Sequence, residues 1–165
     1  MSAQAAFRTK VLFDTNQLLQ RAKNEEEILS QTASQLMKLL NRSLIVYPEQ
    51  NGDLGSEQVF EIDGEVPCNI FSAPEERDAA NWTFANKKRS GAGTDSYPDA
   101  KGLYLALRTG GGVFGVIGID LSEKPLDAFE NSVLLSILGE GALAIDNRRN
   151  ALEKEQAALQ ARHEE

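Results

Sequence analysis

Apolar residues open the chain at helical spacing. Phe7, Val11, Leu18 and Ala22 fall four and seven apart, and Leu12 and Leu19 repeat at seven beside them. After the charged patch Asn24 to Glu27 the pattern resumes with Ile28, Leu29, Ala33, Leu36, Met37 and Leu40, so residues 3–41 read as one long helix. Asn24 followed three residues later by Glu27 is capping-box spacing and marks where that helix can break. The period then shortens. Ser43 to Pro48 is β-branched and aromatic and ends on proline, which predicts a strand. Asn51-Gly52 is a hairpin turn signal, with Gln58 to Ile62 as the partner strand and Asp63-Gly64 as a further turn. Pro67 to Ser72 reads as a loop with a short strand.

A second helical stretch starts with Ser72 as cap, Pro74 in the first turn and the early acids Glu75 and Glu76. It carries Ala79, Ala80, Trp82, Thr83 and Phe84 toward a core. Lys87, Lys88 and Arg89 suit its C-terminal end, and Gly91 stops it. Gly102 to Arg108 and Val113 to Leu121 are the clearest strands, joined through Gly110-Gly111-Gly112. In the second of them both faces are apolar or small, which predicts a central strand covered on both sides. Gly115 and Gly118 cannot fill space, so backbone or a ligand must come close there. From Asp127 a long helix runs to the end. Its first half is broadly apolar, and beyond that Leu138, Ile145, Leu152 and Leu159 persist at seven-residue spacing. A helix that keeps only such a narrow stripe is leaving the globular body and needs a partner helix. Hairpin-linked strands bracketed by helices predict an α+β fold.

Composition adds bounds. The 165 residues, 41% hydrophobic and 25% charged, suit one globular domain plus extra helix. The net charge of −8 argues against nucleic acid as a partner. Residues 1–23 are nevertheless locally basic, with Arg8, Lys10, Arg21 and Lys23 against Asp14 alone. No run of about 18 apolar residues is present, and the N-terminus lacks the pattern of a signal peptide. The lone Cys68 cannot form an internal disulfide, which fits a reducing compartment. His163 is the one histidine, so no metal cluster and no Ser-His-Asp or Cys-His set can be assembled. The terminal His-Glu-Glu imitates the start of a kinase phosphorylation box without the residues that follow it. His163 therefore reads as a solvated helix residue. No catalytic residue is expected.

One candidate binding region remains, the loop Lys87 to Asp99. Three cations beside a Gly-x-Gly turn can hold an anion through charge and backbone N–H groups. The alternative is a helix terminus with dipole-matched cations and a turn, in which Thr94, Asp95 and Ser96 tie the loop to the sheet edge. Trp82, Phe84, Phe60, Phe71 and Tyr104 either line a pocket between sheet and loop or are ordinary core aromatics. The candidate pocket set is thus Trp82, Phe84, Arg89, Thr94, Asp95, Ser96 and Tyr104.

The order of elements from Trp82 to Ile119 resembles the back half of a GAF domain, a small sensory α+β module. Trp82, Phe84, Asn86, the run Gly91 to Ser96 (GAGTDS), Leu103, Tyr104, Leu105 and the run Gly115 to Ile119 (GVIGI) carry the likeness. Their wording is similar to the GAF domain that precedes the kinase core of KdpD-type sensor histidine kinases, which respond to potassium and osmotic stress. The match covers mainly residues 74–149. It departs at Ala106, where that branch commonly has proline. The resemblance implies a central antiparallel sheet of five to six strands. Long N- and C-terminal helices would lie on one face, with a shorter helix and loops on the other. It divides the chain into a signalling helix region (1–41), a GAF body (42–146) and a coiled-coil helix (147–165). It also implies a non-enzymatic relay cut from a longer protein and working as a homodimer through Leu138, Ile145, Leu152 and Leu159. The fragment itself needs no cofactor. ATP and magnesium would belong to the parent kinase core, a response regulator would be the parent's partner, and the domain would be the cytoplasmic part of a bacterial inner-membrane protein. A small-molecule or nucleotide sensor is the alternative. The cyclic-nucleotide signature Asn-Lys-Phe-Asp-Glu is missing, and Cys68 is followed by Asn69 rather than the histidine often found beside a bilin cysteine. The single Cys68 also excludes the multi-cysteine chemistry of methionine-sulfoxide reductases.

Overall fold

The computed structural model describes residues 2–62 and 69–164. The N-terminal stretch forms two helices, α1 (Ala3–Gln20) and α2 (Glu25–Leu40), rather than one. The break falls at the capping box because Asn24 is extended and its side chain accepts from Glu27 N–H at 2.8 Å. The Glu27 carboxylate answers one residue further out, on Lys23 N–H at 2.9 Å. Two backbone N–H groups at the break find acceptors there, which makes a new start favourable.

Strand β1 (Leu44–Gln50) turns through Asn51-Gly52 into β2 (Asp53–Leu54). Both turn residues have positive φ, 55° and 88°, as a tight hairpin turn requires. Strand β3 (Gln58–Phe60) then pairs with the start of β1, so the expected partner strand is present but the turn itself is closed by β2. A single 3₁₀ turn spans Ile70–Ser72, where a short strand was expected. The expected Asp63-Gly64 turn, and Cys68, lie outside the described residues.

Helix α3 (Pro74–Asn86) starts with proline and two acids, but its N-cap is Ala73 and not Ser72. The Ser72 hydroxyl donates back to Asn69 O instead, at 2.7 Å. Lys87, in the left-handed conformation with φ 60°, closes the helix by donating its N–H to Thr83 O. Gly91 is therefore not the stop. It belongs to the edge strand β4 (Ser90–Gly91), which pairs with β5 (Gly102–Thr109). Strand β6 (Gly112–Asp120) pairs with β5 on one side and β1 on the other, and α4 (Ala128–Glu164) follows.

The sheet is antiparallel throughout, in the order β2-β1-β6-β5-β4 with β3 also on β1. The two-sided apolar pattern of β6 is explained by its central place. Helix α2 and the first half of α4 cover one face, with α1 packed against both, and Leu36, Leu44, Ile117, Leu134, Ile137 and Ile145 form the larger core there. Helix α3 covers the other, over Ile45, Tyr47, Tyr104 and Val116. Helix α4 holds an 18-residue window of mean hydropathy 1.3, and its Val133, Leu134, Ile137 and Leu138 are buried in that larger core.

Arg42 pins the approach to α4. It is 6% exposed, pairs with Glu130 at 3.2 Å, and donates to the carbonyls of Asp120, Lys124 and Pro125. The first turn of α4 is further closed by Asp127 and Glu130, each side chain accepting from the other's N–H.

Candidate functional site

The candidate pocket was expected between the sheet and the loop from Lys87 to Asp99; beside it, the contact of α3 with the sheet is apolar and buried. Tyr104 on β5 is fully buried, and its hydroxyl donates to Glu76 Oε1 at 2.7 Å. Glu76 stands in the first turn of α3 and is 2% exposed. Its two oxygens also accept the N–H groups of Lys101 and Gly102, each at 3.0 Å. One carboxylate therefore joins helix, loop end and strand. Sequence reading placed Glu76 only as a dipole-matched acid. Its spacing to the buried Ala79, Ala80 and Thr83 was the signal that it faces inward.

Two glycines permit close approach, Gly118 on the α3 side and Gly115 on the α2 side. A Cβ on Gly118 would stand 2.8 Å from Ile45 Cγ2 and collide outright with the Tyr104 ring. A Cβ on Gly115 would stand 2.8 Å from the carbonyl of Tyr47. The close approach expected at both positions is therefore made by the chain's own groups.

The candidate residues separate. Tyr104 and Phe71 are buried in the α3-side core and Phe84 packs partly against it. Trp82 is half-buried and joins neither core, because α3 is covered on one side only. Phe60 lies on the opposite face, against the larger core. The loop closes on itself. The Thr94 hydroxyl lies 2.9 Å from Gly91 O and 2.8 Å from Ser96 O, and accepts from Ser96 N–H at 3.2 Å. Gly91 N–H donates to Ser96 O at 2.7 Å and Ala92 N–H to Gly102 O at 2.9 Å. Asp95 is exposed. Arg89 turns away toward α4 and donates to Asn131 at 3.1 Å. Beside it is a shallow concavity of about 290 Å³, flanked by Gly93, Thr94 and Asp127. The Thr94 and Ser96 bonds run to Gly91 of the edge strand β4.

Burial and then donation to Glu76 push the Tyr104 phenol far above its usual pKa. Burial and then Glu57 raise Tyr47 to about 12. The folded state therefore keeps protons that the unfolded chain releases near pH 10. This contribution to stability is complete below about pH 10 and is lost as pH rises through the folded values. In an alkaline titration, tyrosinate absorbance from these two phenols is expected only together with loss of tertiary circular dichroism. Full ionisation of the tyrosines in a folded protein would contradict it.

The terminal helices have a simpler order. Arg8 donates to Ser132 at 2.8 Å and Asn16 to Glu140 at 3.1 Å, both pairs 124 residues apart. Arg149 holds Glu25, the first residue of α2, at the same offset. Partners that advance together make α1 and α4 parallel. The Phe7 and Phe129 rings, 6.5 Å apart, mark the entry end. At the other end α4 continues past the body, and residues 150–163 are exposed. The seven-residue stripe divides there. Leu138 and Ile145, expected in a dimer seam, are 5% and 1% exposed inside the chain's own core, whereas Leu152 and Leu159 are 46% and 49% exposed. The first pair faces the sheet because α4 is still packed on it.

No family profile matches the chain. Over 150 residues, 90% of its length, it is 33% identical to the sensor protein KdpD of Clostridium acetobutylicum, of which it spans 16%. Among solved structures it resembles the GAF domain of the potassium sensor histidine kinase KdpD from Escherichia coli. The TM-score is 0.63 at 20% identity, covering 92% of this chain and 99% of that one. It also resembles the GAF domain of a sensor histidine kinase, described as putative, from Pseudomonas syringae pv. tomato. There the TM-score is 0.60 at 17% identity, covering 93% and 94%.

Proposed function

The chain is a GAF domain of the KdpD type, and from that premise we propose that it is a dimeric relay rather than a small-molecule receptor. It would pass a potassium or osmotic signal from α1 to α4 and on to the histidine kinase core of a longer parent protein. That parent would sit in a bacterial inner membrane with this domain on the cytoplasmic side, use ATP and magnesium in its kinase core, and phosphorylate a response regulator. The parallel α1–α4 pairing is the observation that carries the reading. A displacement entering at Phe7 and Phe129 is carried side by side with α4 to Asn16 and Glu140, beyond which Arg149 ties α4 to α2, and leaves along the exposed tail. The Tyr104–Glu76 contact, which locks α3 to the sheet, supports a rigid body between the two helices. Leu152 and Leu159 would supply the seam between two copies, with Arg148, Arg149, Glu155 and Gln156 keeping it weak enough to shift.

The test uses the Clostridium acetobutylicum KdpD with this chain in place of its matching segment. One to seven alanines are inserted after Ala151, and autophosphorylation is followed with and without potassium. Each added residue turns the seam by about 100°, so activity is expected to be disturbed by intermediate insertions and recovered at seven. Activity indifferent to insertion length would overturn the relay.

A further inference from the structure

A groove of about 510 Å³ lies on the helix-covered face, between α2, β1 and the start of β6. This is within the usual size of small-molecule sites, about 300–1,000 Å³. Leu29 and Phe114 give it an apolar floor, and Glu25, Glu26, Glu49 and Glu57 stand around it. One end already holds a cation from the chain itself. The Arg149 guanidinium lies 4.6 Å from the centre of the Phe114 ring. Its Nη2 is 3.1 Å from Glu25 Oε2 and 3.7 Å from Glu49 Oε2. Glu57 is paired with Arg77 at 3.2 Å, with both side chains more than 40% exposed. Two arginines therefore face four carboxylates, and the rim keeps a negative excess. Several carboxylates around an apolar floor complement a molecule with a methylene stem and more than one positive charge.

We propose that this groove binds a small aliphatic diamine or polyamine, which takes Glu25 and Glu49 from Arg149 and so frees α4 where it leaves the body. Arg149 is placed for that role. It is tied to α2 and β1, and every described side chain beyond it on α4 is exposed. Occupancy of the groove and the hold on the helix compete for the same two carboxylates. A ligand that binds only when the arginine is out shifts the population toward a released helix. The coupling to output rests on the relay reading, whereas the binding does not.

The experiment titrates putrescine and spermidine into the whole chain at low ionic strength by calorimetry, with ammonium and potassium chloride as single-charge controls. Binding is expected for the polyamines, weaker by about tenfold in Glu49→Gln. It should be tighter by a few-fold in Arg149→Met, which keeps an apolar stem over Phe114 and removes the competitor. Hydrogen exchange across residues 146–160 should rise on binding in wild type and already be raised in Arg149→Met. Circular dichroism confirms that each variant is folded, and Arg149→Gln, which also removes the charge, serves if methionine disturbs the body. Absence of polyamine binding in both wild type and the arginine variant would overturn the proposal. So would binding indifferent to Glu49, or binding weakened by loss of Arg149. The insertion series in the kinase is independent of these outcomes.

Discussion

Glu76→Ala is expected to cost the domain about 3–5 kcal/mol, a large part of the roughly 5–15 kcal/mol that holds a domain folded. The reason is in the partners left behind. Lys101 N–H, Gly102 N–H and the Tyr104 hydroxyl all donate to this one carboxylate in a site with almost no solvent. Each buried donor without an acceptor costs about 1–3 kcal/mol. Neighbouring groups can relax toward some of them, so the sum is less than three full penalties. Tyr104→Phe removes a donor instead of the acceptor, and is expected to cost only about 0.5–1.5 kcal/mol. Urea unfolding followed by circular dichroism measures both. Equal losses for the two variants would show that the carboxylate is not the hub of this face.

Ile145→Glu and the pair Leu152→Glu with Leu159→Glu are expected to act in opposite ways, although all three positions belong to one heptad series. Ile145 is 1% exposed against the sheet, and burying such a side chain contributes about 1.5–3 kcal/mol. A charge in its place adds a desolvation cost of several kcal/mol. The single change should therefore leave little folded protein at room temperature. The double change touches only exposed positions. It should leave the melting temperature of the body nearly unmoved and abolish self-association along the tail, read by sedimentation. A double variant as dimeric as wild type would place the seam elsewhere. A wild-type chain that is monomeric at high micromolar concentration would remove it.

The contrast between these positions also shows how far reading along the chain could go. Features decided within a few residues were legible. Asn51-Gly52 makes a hairpin because both residues tolerate positive φ, and the two-sided apolar run of β6 marks a centre strand. The Asn24–Glu27 spacing marked the break between α1 and α2, though the continuing periodicity favoured one helix. The GAGTDS loop pointed to its fold family by wording alone. Its two chemistries, ligand cradle or tie, stayed open because both use the same short polar side chains.

What such side chains do depends on partners far away in the chain. Tyr104 is a core residue because Gly118 leaves room for its ring and Glu76, 28 residues earlier, accepts the hydrogen bond from its hydroxyl. Leu138 and Leu152 have the same place in the repeat, yet one meets the sheet and the other meets water, because the body ends between them. Arg149 reads as one more charge on a solvated helix until folding sets it against Phe114 and, 124 residues away, Glu25. Periodicity, capping and turn preference act over a few bonds and are written locally. Which side of an element is covered, and by what, depends on packing between segments whose separation along the chain carries no local signal.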